Sequence, residues 1–436
     1  MLNVFGNKDL MDRRAAQWAG CSPGLGCQSL GPCEEEKGSH LLLTPFEKVT
    51  SDMRTNEKVK HELIVGKRIG FYQLHGKIGF GNFSQVKLGI HNLTKEKVAI
   101  KILDKKRLDA KTWQLFSCEV LSMERLHHPN IIRLYEVLET HHRLHLVLEY
   151  AGGGELFTKI GTWGRLSEHE AKLIFIQIVS AVKHMHENNV VHRDLKAENI
   201  FYSSKNCVKV GDFGFSALCI QDQLLTTCCG SPPYAAPELF REKNYMGIYV
   251  DTWALGVLLY FMVTANMPFR ADTVRKLRKT ILMGSYTIPA YVSDACQSLI
   301  RAILQPVPSN RSSPTQLLNS TWLRGMEYPE PYQPFHLNPA HLISSLPLTE
   351  EEREVKNTLN SFGITEGYIH NNHCSESHKA ITGTYRIVLH QVQKRRRLEI
   401  GGGAIDSDCS VGSRVAHSRR KHIRAHGQTS KICSFM

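Results

Sequence analysis

The chain reads as an α+β protein in two lobes, a five-stranded antiparallel sheet with one helix followed by a mostly helical half. Three observations predict this. Between residues 71 and 150, short apolar runs of strand length are separated by turns. One stretch of helical length interrupts them. From Ser167 on, apolar residues recur at helical spacing instead. The 436 residues suffice for one large two-lobed domain with extensions, and a hydrophobic content of 42% supports a sizeable core.

Residues 1–70 mix Gly, Ser, Pro, Cys and charge without periodicity and read as a mostly disordered extension. Phe71 to Leu74 leads into Lys77 to Gly89, where apolar residues flank a Gly turn: strand, tight hairpin, strand. Lys97 to Leu103 is a third strand. Ala110 to His127 is a helix with Leu115, Val120 and Met123 on its apolar side, closed off by Pro129. Ile131 to Leu138 and Leu144 to Tyr150 complete the sheet. Ser167 with Glu170 forms a capping box, and Ala171, Ile174, Ile178, Ala181 and Met185 follow at helical spacing. Two short strands are expected near Ile200 to Tyr202 and Val208 to Val210. The apolar run Trp253 to Val263, with Asp251 before it and Asn266 and Pro268 after it, is too short to span a bilayer and fits a buried core helix. Helical segments continue to about Trp322, so one domain is assigned to 71–325. The proline-rich run from Tyr328 to Pro334 marks a linker over 326–347. A small helical module follows over 348–393, then a basic, disordered tail over 394–436.

The formal net charge is +13, and the tail holds much of it, with ten Lys or Arg against three acids. The bland reading is a solvated end. The alternative is contact with an acidic membrane or a nuclear-import receptor; no specific nucleic-acid binding is expected. The 12 cysteines form no regular framework, and no apolar run opens the chain between Met1 and Arg14. Reduced thiols and an intracellular, mainly cytoplasmic location are expected, with a nuclear or membrane-associated fraction as the alternative. Cys21, Cys27 and Cys33 lack a matching His or Cys pair, so a metal site there is not expected. The terminal Cys433-Ser434-Phe435-Met436 fits a prenylation pattern only loosely, because Ser434 is not aliphatic.

Chemistry concentrates in a few short motifs. His192-Arg193-Asp194-Leu195-Lys196-Ala197-Glu198-Asn199 sits between apolar segments. Gly79 and Gly81 lack a Cβ and let backbone approach phosphates closely, although two glycines in a hairpin are more often just a turn. Lys101 lies inside the apolar strand Val98-Ala99-Ile100-Lys101 and needs a partner, since an unpaired buried ammonium is costly. Glu119 on the following helix is the best candidate; the bland alternative is a structural ion pair. Asp212-Phe213-Gly214 and Ala236-Pro237-Glu238 come next, then Arg311 far downstream. Each could singly be chance or a core contact.

Taken in order, these motifs resemble the eukaryotic protein kinases over about Tyr72 to Leu323. Lys196 and Gly230-Ser231-Pro232-Pro233-Tyr234 resemble the serine/threonine kinases. Ala197, with Cys229 through Glu238, resembles the AMP-activated-kinase-related branch of the calcium/calmodulin-dependent kinase group. Ser84 departs from the family's third loop glycine. The resemblance implies a bilobal kinase fold and a serine/threonine protein kinase that uses ATP and Mg2+ on protein substrates. Asp194 would accept or orient the proton of the attacking hydroxyl, and Lys196 would neutralise the phosphoryl group in transit. Asn199 and Asp212 would hold magnesium. Lys101, held by Glu119, would clamp the α- and β-phosphates. Ile78, Gly79, Phe80, Gly81, Asn82, Phe83, Ser84, Gln85 and Val86, with Ala99, would line the nucleotide. Glu149 and Ala151 would meet adenine through their backbone beside the gatekeeper Leu148.

Glu155 would reach the ribose or a basic substrate residue. Glu155 and Glu198 together resemble an acidic pair that selects Arg or Lys upstream of the target; the bland alternative is two solvated carboxylates. Phe213 would pack between Met123 and His192, Arg311 would pair with Glu238, and Asp251 would brace the catalytic loop. Thr227, three residues before Gly230, is the expected regulatory phosphorylation site for a separate upstream kinase, with Thr226 the alternative. Arg193, a cation just before the catalytic Asp, would receive the phosphate. A catalytically silent scaffold would be expected to lack one of Lys101, Glu119, Asp194, Asn199 or Asp212, and none is missing. Phe362-Gly363-Ile364 and Ile381 to Tyr385 resemble, more loosely, the ubiquitin-associated-like module of this branch, which mostly packs on its own kinase domain. The polar stretch His370 to His378 departs from it.

Overall fold

The computed structural model describes residues 43–81, 84–220, 223–343, 347–371 and 376–400. Asn82, Phe83, the three early cysteines and the terminal Cys433 lie outside the described residues. Pro45 onward forms one compact unit.

The sheet has six strands in the order β1-β2-β3-β4-β6-β5: β1 Arg68–Ile69, β2 Tyr72–Phe80, β3 Ser84–His91, β4 Lys97–Asp104, β5 Leu134–Glu139 and β6 Arg143–Glu149. Every pairing is antiparallel. The five strands expected from the apolar pattern are present. The sixth, β1, is a correction: two residues fold back on Tyr72 and Gln73 through Gly70 at φ +48°, too short to leave a periodic signal.

The described part of the N-terminal extension is also a correction, because 45–70 is ordered. Two helices, α1 Pro45–Thr55 and α2 Glu57–Ile64, precede β1, and the Asn56 side chain caps α2 by accepting from the Lys58 and Val59 amides. What orders α1 is distant in sequence. Phe46 is buried, its ring lies edge-on to Phe71 and Tyr368 at 5.8 and 5.2 Å, and its N–H donates to the Phe362 carbonyl at 2.9 Å. No local pattern could show that.

Helix α3, Ala110–Arg125, starts where the Asp109 carboxylate accepts from Thr112 N–H at 2.8 Å. The helical lobe begins with α4 Leu156–Trp163 and α5 Glu168–Glu187, the latter opened by the Ser167/Glu170 capping box. Four short strands, β7 Val190–Val191, β8 Ile200–Ser204, β9 Cys207–Val210 and β10 Ala217–Leu218, form two two-stranded sheets that flank the motif loops. Then come α6 Glu238–Arg241, α7 Gly247–Thr264, α8 Val274–Met283, α9 Asp294–Ile303 and α10 Pro314–Leu318. Helix α7 runs longer than the apolar stretch that marked it and is long and apolar enough to cross a membrane, but it is buried on nearly all sides in the core of this lobe.

The linker is tied down rather than free. The Pro329 carbonyl accepts from Ser180 Oγ at 2.7 Å, and Tyr332 N–H donates to the His127 carbonyl at 3.0 Å. The terminal module consists of α11 Glu350–Ser361, α12 Glu366–Asn371 and α13 Glu376–Ile400. Helix α13 lies along β5 and places Ile387 in one buried cluster with Tyr72, Ile100, Tyr135 and Val147. It continues past Gln393, where a disordered tail had been expected to begin. Arg396 pairs with Glu350 and Glu354 of α11 at 3.2 and 3.3 Å, so opposite charges carry the helix on to Ile400.

Candidate active site

The catalytic loop is held from below by one buried carboxylate. Asp251, in α7, accepts the backbone N–H groups of His192 and Arg193, both at 2.8 Å, and His186 Nε2 lies 3.0 Å away. These bonds fix Arg193 at φ +63°, an uncommon value for a side-chain-bearing residue. The turn that results brings the buried Asp194 side chain to Lys196 and Ser231. Its carboxylate takes Lys196 Nζ at 2.7 Å and the Ser231 hydroxyl at 2.8 Å, while Lys196 also donates to Ser231 Oγ at 2.9 Å. Asn199 Nδ2 donates to the Asp194 carbonyl at 2.9 Å and closes the loop on itself.

Across the cleft, Lys101 on β4 meets Glu119 on α3 at 2.6 Å and Asp212 at 3.0 Å. Burial opposes the ammonium's charge, but the two carboxylates outweigh it and hold Lys101 well above its usual range. The Lys101 charge pulls Asp212 down to about 2. Burial pushes Glu119 up, against the pull of Lys101. Asp212 stands at φ +57°, and its side chain is half exposed toward the cleft. Phe213 is fully buried, with its ring 4.9 Å from that of His192 and Met123 in the same cluster. Glu238 and Arg311 form the expected pair, bidentate at 2.7 Å on both arms.

The residues expected to line a nucleotide fall where the strands require. The β2–β3 hairpin carries Ile78, Gly79, Phe80, Gly81, Ser84, Gln85 and Val86, with Phe80 largely exposed at its tip. Ala99 lies opposite the gatekeeper Leu148 in the β4–β6 ladder. Glu149 N–H donates to the Arg133 carbonyl at 2.9 Å, and its carboxylate turns away from the cleft to meet Lys209 at 3.0 Å. Ala151 follows at the lobe junction, half buried.

Glu155 opens α4, and Glu198 lies two residues after Lys196. Burial raises both carboxyls, and each is partly offset by Lys196. Glu198 keeps one buried oxygen without a hydrogen-bond partner, so it is no ordinary solvated acid.

Thr227 is exposed, and its carbonyl accepts from the Tyr245 hydroxyl at 2.6 Å. Arg193 donates to that same hydroxyl at 3.5 Å and to the Phe215 carbonyl at 2.7 Å. Tyr245 and the hydroxyl of Ser231 are site residues that the motif reading missed. Ser231 stood there only as part of a signature, and no local signal marks Tyr245.

The profile of the protein kinase domain family matches residues 72–323. The chain belongs to the protein kinase family. It is also similar to the serine/threonine-protein kinase SIK3 homolog of Danio rerio, 48% identical over 257 residues. That match covers 59% of this chain and 22% of the relative, so the chain spans about a fifth of its length. The likeness is to a serine/threonine kinase, the type that Lys196 and the Gly230-to-Tyr234 segment resembled. The mixed sheet-and-helix N-lobe and helical C-lobe are those of this family.

Proposed function

We propose that this protein transfers the γ-phosphoryl group of Mg-ATP to Ser or Thr hydroxyls of protein substrates and is switched on by phosphorylation of Thr227. The observation that carries the reading is the Asp194 carboxylate, already held by Lys196 and Ser231, in a chain that also ties Lys101 to both Glu119 and Asp212. Asp212 and Asn199 offer a carboxylate and an amide oxygen, the hard donors that magnesium takes. When bound, the ion would neutralise phosphate charge. Asp194 orients the incoming hydroxyl and takes its proton, Lys196 meets the charge in transit, and Lys101 fixes the phosphates. The rate enhancement then comes from positioning and charge stabilisation.

Phosphate on Thr227 would add about 1.5 to 2 negative charges next to a guanidinium that has only neutral oxygens to bond. Ordering this segment would fix Ser231 and with it Asp194. Burial leaves the Glu155 and Glu198 carboxyls poorly solvated, and a basic substrate residue would supply the cation that offsets this, which favours Arg or Lys upstream of the target. The free thiols at six described cysteines accord with an intracellular site of action.

Purified wild type, Asp194→Asn and Thr227→Ala, each treated with an activating cell extract, would be assayed for label transfer to a Ser/Thr peptide array. Asp194→Asn is expected to bind ATP but lose transfer by orders of magnitude, and Thr227→Ala to remain at basal rate. Wild-type turnover by Asp194→Asn would sink the kinase assignment; full activation of Thr227→Ala would sink the switch alone.

A further inference from the structure

The outer face of the sheet carries a cavity that phosphoryl transfer leaves unused. Its volume is about 430 Å3, within the range of small-ligand sites. Side chains alternate along β4, so Ile102 projects to the face opposite Lys101. Ile102, with Leu74 of β2 and Ile69 of β1, gives the cavity an apolar floor. Helix α2 makes one wall, and its Ile64 is left 84% exposed beside the opening.

The rest of the lining is cationic. Lys87 of β3, Lys106 and Arg143 reach the cavity, and among the described residues none of the three has a carboxylate within ion-pair distance. Arg68 also lines it but is neutralised by Glu62 at 2.9 Å. The one lining carboxylate is Asp104, whose oxygen accepts the Lys106 backbone N–H at 3.0 Å. Three cations against one acid leave a surplus of two positive charges. Burial holds the His145 ring neutral, at about 4, and Arg143 and Lys87 press on it in the same sense. An apolar floor ringed by two surplus charges matches a dianion on an apolar body better than it matches water or a neutral ligand.

We propose that this cavity binds a phosphate monoester carried on a compact apolar body. The phosphate meets Lys87, Lys106 and Arg143, and the body covers Leu74, Ile102 and Ile69. The ligand braces the sheet from the face opposite the phosphate-clamping lysine.

The test uses the full chain with its nucleotide site saturated by a non-hydrolysable ATP analogue. 1-Naphthyl phosphate is titrated calorimetrically beside 1-naphthol and inorganic phosphate. Saturable one-to-one binding of the ester is expected, at least about tenfold tighter than either fragment. Lys106→Ala/Arg143→Ala, both at exposed positions, should weaken it by about tenfold or more while leaving affinity for the ATP analogue unchanged. Lys87→Ala should weaken it independently. Equal binding of all three probes, no saturable heat, or undiminished binding in both variants would overturn the site.

Discussion

The Arg133 guanidinium, beside β5, donates to the Gln393 side chain of the last helix at 2.8 Å, across 260 positions of sequence. Tyr332 and Phe335 of the linker lie against it, at 4.9 and 4.8 Å. One buried cation thus gathers the N-lobe, the linker and the terminal module. The Arg133 carbonyl also takes the Glu149 N–H, so this junction lies one residue pair from the nucleotide hinge.

Gln393→Leu would leave that buried donor short of a partner, with another nitrogen of the same guanidinium already without one. A loss of about 1–3 kcal/mol of unfolding free energy is expected in urea titration. A loss under about 0.5 kcal/mol would show that the ring contacts alone hold Arg133.

Gly230 stands at φ +104°, and a Cβ there would come within 2.5 Å of the Arg193 carbonyl. Gly230→Ala must therefore displace either the catalytic loop or Ser231. Phosphoryl transfer is expected to fall by about a hundredfold or more, with ATP affinity within about twofold of wild type. Unchanged turnover would mean that the close approach relaxes without moving Asp194.

Arg311→Leu strands the Glu238 carboxylate, buried and without its cation. This should cost about 3–5 kcal/mol, whereas replacing both partners by Leu should cost clearly less. Equal losses in the single and double variants, measured by denaturant unfolding, would contradict an electrostatic origin.

Acid should destabilise the fold early. Burial holds His127 and His128 neutral down to about 3. In His128, Nδ1 accepts the Asn130 N–H at 3.0 Å and Nε2 faces the Pro329 carbonyl at 3.2 Å, an arrangement that only the neutral ring satisfies on both sides. Below the ordinary histidine value of 6.5 the unfolded chain takes up protons that the folded chain refuses. Stability is then complete above that value and falls with pH, by about 1.4 kcal/mol per unit for each such ring. Unfolding free energy measured between pH 7.5 and 5 should therefore decline on the acid side, and a flat profile would refute buried neutral rings.

Much of the site was legible because its chemistry is packed into short motifs. Asp194, Lys196 and Asn199 lie within six residues, and a loop that short converges wherever Asp251 anchors it. Lys101 announced a partner because a charge in an apolar strand must be compensated, and Glu119 supplied it. The strands and helices of both lobes were legible where periodicity lasted several residues; β1 at two residues was not.

The sequence by itself determined which groups gather in the candidate site and the order in which the lobes are built, since local spacing and the cost of burying charge act wherever the chain goes. Only the tertiary structure decided that Phe46 docks on Phe362 and orders the segment before the sheet, that Ser231 and Tyr245 join the loop, and that Gln393 completes Arg133. Each of those contacts joins residues tens to hundreds of positions apart. Their energy comes from burial and hydrogen bonding between surfaces that exist only once the chain has folded, so no stretch of sequence carries their pattern.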